Sequence, residues 1–155
     1  MSIGRDAIAT LIFSYAEMLD AGDFAGVAQL FAHATYRTEG RPPHRGTDEV
    51  LAVLKQMVAV YGGIPRTKHV TTNTMIEIDE ARGSATARSY FTVFQAVESF
   101  PLQAVIAGRY HDCFVCVEGV WRFSDRLIFV DLVGDLSHHL QGTIGQPRTK
   151  PISRE

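Results

Sequence analysis

Apolar residues in the first half of the chain recur at the spacing of amphipathic helices. The first stripe comprises Ile8, Leu11, Ile12, Tyr15, Met18 and Leu19, and a later one comprises Val50, Leu51, Leu54, Met57 and Val58. Gly22 predicts the end of the first helix, because glycine readily adopts the left-handed conformation found there. Asp23 is placed to cap a short second helix. We therefore predict three helices, with a short strand at residues 35–38 and a Gly- and Pro-rich loop at residues 40–46 before the third.

The second half of the chain is rich in β-branched and aromatic residues instead. Four such stretches run approximately over residues 68–79, 83–99, 102–117 and 120–133. The separators between them are short, which is typical of antiparallel neighbours. Helices followed by a meander of strands indicate an α+β fold, with the helices packed on one face of a sheet. We expect one domain over residues 1–136 and a polar C-terminal tail over residues 137–155.

Composition and charge narrow the classes of function. The chain has 155 residues, of which 46% are hydrophobic and 21% are charged, as in soluble globular proteins. A formal net charge of −2 argues against a nucleic-acid partner. The sequence has neither an apolar run long enough to span a membrane nor the pattern of a signal peptide. We therefore expect a cytoplasmic protein with no membrane association.

The cysteines and most of the histidines give no sign of a metal or cofactor site. Cys113 and Cys116 lie three positions apart in a predicted strand, where alternation points them to opposite faces and disfavours a disulfide. We interpret them as two packed thiols. The remaining histidines are interpreted as solvated or structural, with only a weak metal signal from the adjacent pair; they are His33, His44, His111, His138 and His139. We expect no metal and no cofactor.

Asp20 and His69 are the residues that most suggest chemistry. Asp20 falls in the last turn of the first helix, where a carboxylate opposes the helix dipole at a cost of about 0.3–1 kcal/mol. Such a charge beside an apolar stripe calls for a compensating partner. A carboxylate that holds an imidazole is a minimal device for taking a proton from carbon at neutral pH. Asp23, by contrast, is explained by its role as a helix cap.

The direction of the His69 side chain depends on the register of its strand. Simple alternation places His69, Thr71 and Asn73 on one face and Ile76 and Ile78 on the other, which looks like the core face. For His69 to point inward as well, a β-bulge near residues 71–74 must reset the alternation. We predict that bulge.

Five short segments, in this order, resemble the cone-shaped fold of nuclear transport factor 2-like proteins. They are residues 15–24, 30–31, 69–73, 108–112 and 119–126. Within that superfamily the chain is similar to the SnoaL-like and scytalone dehydratase-like branch, and the resemblance covers residues 8–133. It implies N-terminal helices packed on a strongly curved mixed or antiparallel sheet, which forms a cone with an internal cavity.

The resemblance also implies roles for individual residues. In dehydratases and dehydrochlorinases of this branch, an Asp at the end of the first helix orients a His on the sheet. That His takes a proton from carbon while a leaving group departs from the neighbouring carbon. Asp20 and His69 match these two positions, Tyr15 matches a tyrosine of the bile acid 7α-dehydratase, and Arg126 matches an arginine of the hexachlorocyclohexane dehydrochlorinase. An aromatic residue of these sites falls near Tyr36.

Other predicted site residues lie on the strands. Tyr110 and Asp112 share a strand face, and Ser89 belongs to a run of small residues that leaves space for a ligand. The second histidine and the asparagine of scytalone dehydratase have no clean match, since the nearest positions hold Ser89 or Phe91, and Asp112. Arg126 either contacts a substrate oxygen or leaving anion or lies at the surface. Asp112 is either a buried acid or a structural hydrogen-bond acceptor.

These observations favour a cofactor-independent lyase that eliminates water from a small hydrophobic cyclic or aromatic substrate. His69 is the expected general base, oriented by Asp20, and Tyr15 with Arg126 is expected to polarise an oxygen of the substrate. One alternative is an isomerase like ketosteroid isomerase, for which Asp112 is the nearest carboxylate on the sheet. Another is a non-catalytic ligand-binding or oxygenase-associated module. In each case we expect a homodimer or homotrimer.

Overall fold

The structure, a computed structural model, describes residues 3–141 and has the predicted α+β architecture. Three helices precede and flank a sheet of six strands. In chain order the elements are α1 (Ile3–Asp20), α2 (Phe24–Leu30), β1 (Thr35–Thr38), β2 (His44–Arg45), α3 (Gly46–Met57), β3 (Thr67–Asp79), β4 (Ser84–Val97), β5 (Phe100–Val117) and β6 (Val120–Val133). Helix α1 packs against β3 and β6, and α2 contacts both other helices.

The six strands form one mixed sheet in the order β2-β1-β6-β5-β4-β3. Strands β3 to β6 are antiparallel neighbours, as their short connections predict, while β1 runs parallel to β6. The register shifts within each of the three pairs formed by β3 to β6, and such bulges increase the local twist and bend of a strand. The sheet is curled around the helices without closing into a barrel.

Two element boundaries differ from the sequence prediction. The loop predicted at residues 40–46 contains the short strand β2, because the backbone of His44 and Arg45 pairs with β1. Strand β5 begins at Phe100, although Phe100 and Pro101 were predicted to separate two strands. The ring of Phe100 is buried in the core, and Pro101 occupies a position near the start of the strand, where its missing N–H is tolerated.

The hydrophobic core lies between the helices and the inner face of the sheet. Aromatic side chains fill much of it, and Phe91 stacks on Tyr110 with ring centroids 4.5 Å apart. Gly108 makes this stacking possible, since a Cβ atom there would lie 2.9 Å from the Phe91 ring and 1.9 Å from the carbonyl oxygen of Phe129. The inner face is therefore closely packed around Tyr110.

The folded unit continues past the predicted domain boundary at residue 136. The backbone N–H of Ala59 donates to the carbonyl of His139, and the backbone N–H of Gln141 donates to the carbonyl of Met57. Leu140 also forms a β-bridge with Val58. Residues 137–141 thus pack beside the end of α3, and the rest of the predicted tail, residues 142–155, lies outside the described residues.

Both cysteines are free thiols, in agreement with the prediction that they form no disulfide. The prediction that both are packed is wrong for Cys113, which is exposed, whereas Cys116 is half-buried. Cys113 lies opposite Thr86 on the outer face of the sheet, away from the helices. No helix within residues 3–141 is long and apolar enough to cross a membrane.

Candidate active site

A tight turn at the end of α1 fixes the position of Asp20. The backbone N–H of Gly22 donates to Leu19 and that of Asp23 donates to Met18, the paired hydrogen bonds of a Schellman motif. Gly22 has a φ of +76°, and a Cβ atom there would lie 2.2 Å from the carbonyl oxygen of Gly63. Only glycine meets both demands, so the helix ends with Asp20 in its last turn. Asp23 caps α2 by accepting from the N–H of Gly26, as predicted.

A bulge in β3 turns His69 toward the inner face of the sheet. The pairing with β4 shifts between Thr72 and Met75, and Asn73 within the bulge has a φ of +53°. Before the bulge the His69 side chain is only 7% exposed, and after it Ile76 is buried. Both residues therefore face inward although their separation is odd, which confirms the predicted bulge.

Asp20 and His69 meet, forming what we call the dyad. The Oδ1 atom of Asp20 lies 2.5 Å from Nδ1 of His69, and Oδ2 accepts a hydrogen bond of 2.8 Å from the backbone N–H of the same histidine. The hydroxyl of Thr67 also donates to Oδ1 at 2.8 Å. One carboxylate thus holds both the main chain and the ring of His69, which fixes the position and the rotation of the imidazole.

The contacts of Asp20 also set the charge and the tautomer of the dyad. Burial alone would raise the pKa of Asp20, but the hydrogen bonds and charge of His69, together with the Thr67 hydroxyl, hold that pKa below its ordinary value. An ionised carboxylate only accepts hydrogen bonds, so the neutral His69 ring carries its proton on Nδ1. Nε2 then bears a lone pair, and no described residue hydrogen-bonds to it.

Two members of this neighbourhood were missed by sequence reasoning. Thr67 lies two residues before His69 on the same strand face, and that spacing was the available signal. His139 was interpreted as solvated or structural, yet it is 6% exposed and its ring centroid lies 6.2 Å from that of His69. Burial and the nearby His69 ring lower the pKa of His139 to about 4, although Asp20 partly opposes this shift.

A second polar group, which we call the arginine cluster, is built around Arg126. Its guanidinium donates two hydrogen bonds of 2.8 Å to the carboxylate of Asp112, and neither side chain is exposed. The guanidinium carbon also lies 4.2 Å from the ring centroid of Tyr15 and 3.9 Å from that of Tyr110. The ring centroid of Phe123 lies 5.0 Å away, so Arg126 is a buried cation held by one carboxylate and three aromatic rings, and not a surface arginine.

The tyrosines of the arginine cluster remain neutral. Burial raises the pKa of Tyr15 above its usual range, and it raises those of Tyr36 and Tyr110 further. The hydroxyl groups of Tyr15 and Tyr36 lie 2.9 Å apart and share one hydrogen bond. Because a hydroxyl has one proton and two lone pairs, the pair can still offer one O–H to another group.

A computed family profile for the SnoaL-like domain matches residues 3–127. The chain belongs to the SnoaL-like domain family. A search among curated proteins gives no significant match.

Solved structures with the same fold share little sequence with this SnoaL-like protein. A variant of a Mycobacterium tuberculosis protein of unknown function is 24% identical over 84% of this chain and 73% of that one, with a TM-score of 0.70. A Novosphingobium aromaticivorans protein provisionally described as a scytalone dehydratase is 22% identical over 86% and 87%, with a TM-score of 0.69. ActVI-ORFA from Streptomyces coelicolor is 20% identical over 84% and 98%, with a TM-score of 0.69. At these identities the similarity extends to the cystatin-like fold alone.

The SnoaL-like chain divides its predicted site residues between the dyad and the arginine cluster. Asp20 and His69 form the first, whereas Tyr15, Tyr36, Tyr110, Asp112 and Arg126 form the second. Helix α1 connects them, because Tyr15 and Asp20 are separated by about 7.5 Å along its axis. Ser89 lies opposite Tyr110 on the inner face of β4, and its buried hydroxyl has no partner among the described residues.

Two other kinds of site, a metal site and a surface groove, were considered in the described part of the chain. Within residues 3–141 no group of three or more His, Cys, Asp or Glu side chains is placed to hold a metal ion. An open groove of about 410 Å³ lies on the outer face of the sheet, and the Arg37–Asp125 ion pair is part of its wall. None of the residues that line the groove belongs to the dyad, whereas Asp112 of the arginine cluster contributes to its wall.

Proposed function

We propose that the protein is a cofactor-independent lyase of the dehydratase type, with His69 as its general base. The observation that carries the proposal is the 2.5 Å contact between Asp20 Oδ1 and His69 Nδ1, which leaves Nε2 as the basic nitrogen. A general base needs a lone pair and a fixed position, and histidine is the side chain most often used in this role. The contact with Asp20 leaves the lone pair on Nε2 and fixes the position of the ring.

The step assigned to the dyad balances without any further reactant. His69 Nε2 takes a proton from a C–H bond, and the electrons of that bond form a new C=C bond. The C–O bond on the neighbouring carbon breaks, and the departing hydroxide takes the proton back from the imidazolium, which yields water. Asp20 remains ionised throughout and stabilises the transient charge on His69.

The arginine cluster is assigned to substrate binding within this proposal. The hydroxyl pair of Tyr15 and Tyr36 can donate to a carbonyl oxygen, which acidifies the neighbouring C–H bond. Two of the three nitrogens of Arg126 are bonded to Asp112, and the third, Nη1, is buried with no partner among the described residues, so it is available to donate to a substrate oxygen. A substrate of one or two rings has the length to reach from these hydroxyl groups toward His69.

The comparisons support the class of reaction but not a substrate. One solved structure with this fold is provisionally described as a scytalone dehydratase, and the sequence resembles that branch of the superfamily. The isomerase alternative is weaker, because Asp112 is fully buried and both of its oxygens accept from Arg126. A carboxylate whose two oxygens both bind Arg126 is not directed at a substrate proton.

The proposal is tested with nitrobenzisoxazole, a general probe for a positioned base. Removal of its acidic C–H proton breaks the N–O bond and releases a coloured phenolate, with no other group required. We expect His69→Ala to lower the rate by about 10²–10⁴-fold, the usual contribution of one general base. His33→Ala is the matched control, because His33 is an exposed histidine outside the dyad. Equal rates for the unsubstituted protein and His69→Ala would refute the assignment.

A further inference from the structure

The C-terminal segment at residues 136–141, here called the strap, brings a second imidazole to the dyad. The ring centroid of His139 lies 6.2 Å from that of His69, at an interplanar angle of 60°. No hydrogen bond joins the two rings, and Nδ1 of His139 is buried without a partner among the described residues. A buried polar atom left unpaired costs about 1–3 kcal/mol, so this nitrogen requires a partner that the described chain does not supply.

Hydrogen bonds on both sides of His139 hold the strap in place. The carbonyl of His138 accepts from the side-chain amide of Gln95 and from the hydroxyl of Tyr61, both at 2.7 Å. The carbonyl of His139 accepts from the backbone N–H of Ala59 at 3.0 Å, and the side chain of Gln141 donates to Val58. The ring of His139 is therefore presented to the dyad by a fixed backbone.

The charges around His139 decide what kind of hydrogen-bonding group it is. Burial disfavours the imidazolium, and the neighbouring His69 ring acts in the same direction against the opposing charge of Asp20. At neutral pH the ring is uncharged, with one N–H donor and one nitrogen acceptor. Such a group binds a carbonyl or hydroxyl oxygen without competing with His69 for the substrate proton.

We propose that His139 is a second binding group of the dyad site, which holds an oxygen substituent of the substrate and so places its C–H bond at His69. The inference rests on the proposed function for the location of the substrate, and it adds a residue and a ligand chemistry to that site. The preferred ligand is a small cyclic ketone or alcohol, and the matching hydrocarbon lacks the atom that His139 recognises.

The test measures binding and does not depend on turnover. The ketone β-tetralone and the hydrocarbon tetralin share one skeleton and differ in a single oxygen, and the affinity of each is measured by NMR titration. We expect His139→Phe, which keeps an aromatic ring, to weaken tetralone binding about five- to tenfold, as for the loss of one hydrogen bond. Tetralin binding should change by less than about twofold, and His139→Gln should restore part of the tetralone affinity.

His138→Ala is the control, because it removes a neighbouring imidazole, which packs on Phe100 and shares a hydrogen bond with Ser137, and keeps the backbone carbonyl that accepts from Gln95 and Tyr61. The inference is overturned if His139→Phe weakens both ligands equally, if it weakens neither, or if tetralone fails to bind the unsubstituted protein. A selective loss of tetralone binding together with an unchanged elimination rate in His69→Ala would retain the inference and reject the proposed function instead.

Discussion

Substitution of Asp20 by Asn separates the structural role of the dyad from its chemical role. The carboxylate accepts three hydrogen bonds, from the Thr67 hydroxyl, the His69 ring and the His69 backbone. An amide of the same size has one oxygen and one NH₂ group, so it cannot accept on both sides. If its oxygen faces the ring, the NH₂ group meets the backbone N–H. If it faces the backbone, the NH₂ group meets Nδ1 and favours the tautomer that is protonated on Nε2.

Either orientation of the amide has a cost that can be estimated. At least one buried donor loses its acceptor, and the remaining bonds lose the charge of the carboxylate, so Asp20→Asn should lower the free energy of unfolding by about 1.5–3 kcal/mol. Urea unfolding followed by the fluorescence of Trp121, the single tryptophan, measures the change. Asp6→Asn is the control on the same helix, because Asp6 is exposed in its first turn and should change stability by less than about 1 kcal/mol.

The same variant should lose activity as well as stability. With the NH₂ group against Nδ1, Nε2 is protonated and His69 has no lone pair, so the elimination of nitrobenzisoxazole should fall to the rate of His69→Ala. With the amide oxygen against the ring, Nε2 keeps its lone pair but the carboxylate charge is lost, so the rate should fall by a smaller factor. The rates are measured without urea, at a temperature at which circular dichroism shows that the variant is folded. A variant that unfolds at the same urea concentration as the unsubstituted protein, and that retains its elimination rate, would refute the reasoning about both roles of Asp20.

Two further predictions concern groups outside the Asp20–His69 contact. The unfolded chain protonates His139 near pH 6.5 and the folded chain only near pH 4, so the stability gained from its neutral form is present above pH 6.5 and is lost as the pH falls toward 4. Urea unfolding should show a loss of up to about 3 kcal/mol over this range, and His139→Gln should remove it. Asp112→Ala leaves Arg126 as an unpaired buried charge and should lower the free energy of unfolding by about 3–5 kcal/mol. The double change Asp112→Leu with Arg126→Met removes both charges and should lower it far less. Equal losses in the two proteins would contradict this reasoning.

Local sequence patterns, together with the family resemblance, predicted the dyad. Gly22 marks the end of α1, and the negative charge of Asp20 in the last turn opposes the helix dipole. Both features can be identified within a few residues of the sequence. The conflict between His69 and Ile76, which simple alternation places on opposite faces, predicted a bulge, and the shift between Thr72 and Met75 confirms it. Sequence reasoning succeeded here because the constraints act within a few residues.

The arginine cluster and the strap depend on contacts between distant segments. Whether Arg126 is buried or exposed depends on Asp112, one strand away, and on tyrosines from α1 and β5, and the pattern within β6 carries none of that information. The burial of His139 was equally hard to predict, because the neighbouring residues in the sequence are polar and are typical of a solvated tail. The fully buried side chain of Gln95, on β4, donates to the carbonyl of His138, and this contact between distant segments is one of those that return the chain to the core.

The most direct test of the central claim is the tautomer of His69, which nitrogen-15 NMR of histidine-labelled protein reports without any substrate. In the uncharged His69 ring we expect Nδ1 to carry the proton and Nε2 to have the chemical shift of a lone-pair nitrogen. We expect Asp20→Asn to alter both signals and Asp6→Asn to alter neither. A neutral His69 ring with its proton on Nε2, or a spectrum unchanged by Asp20→Asn, would contradict the claim that Asp20 prepares His69 as a base.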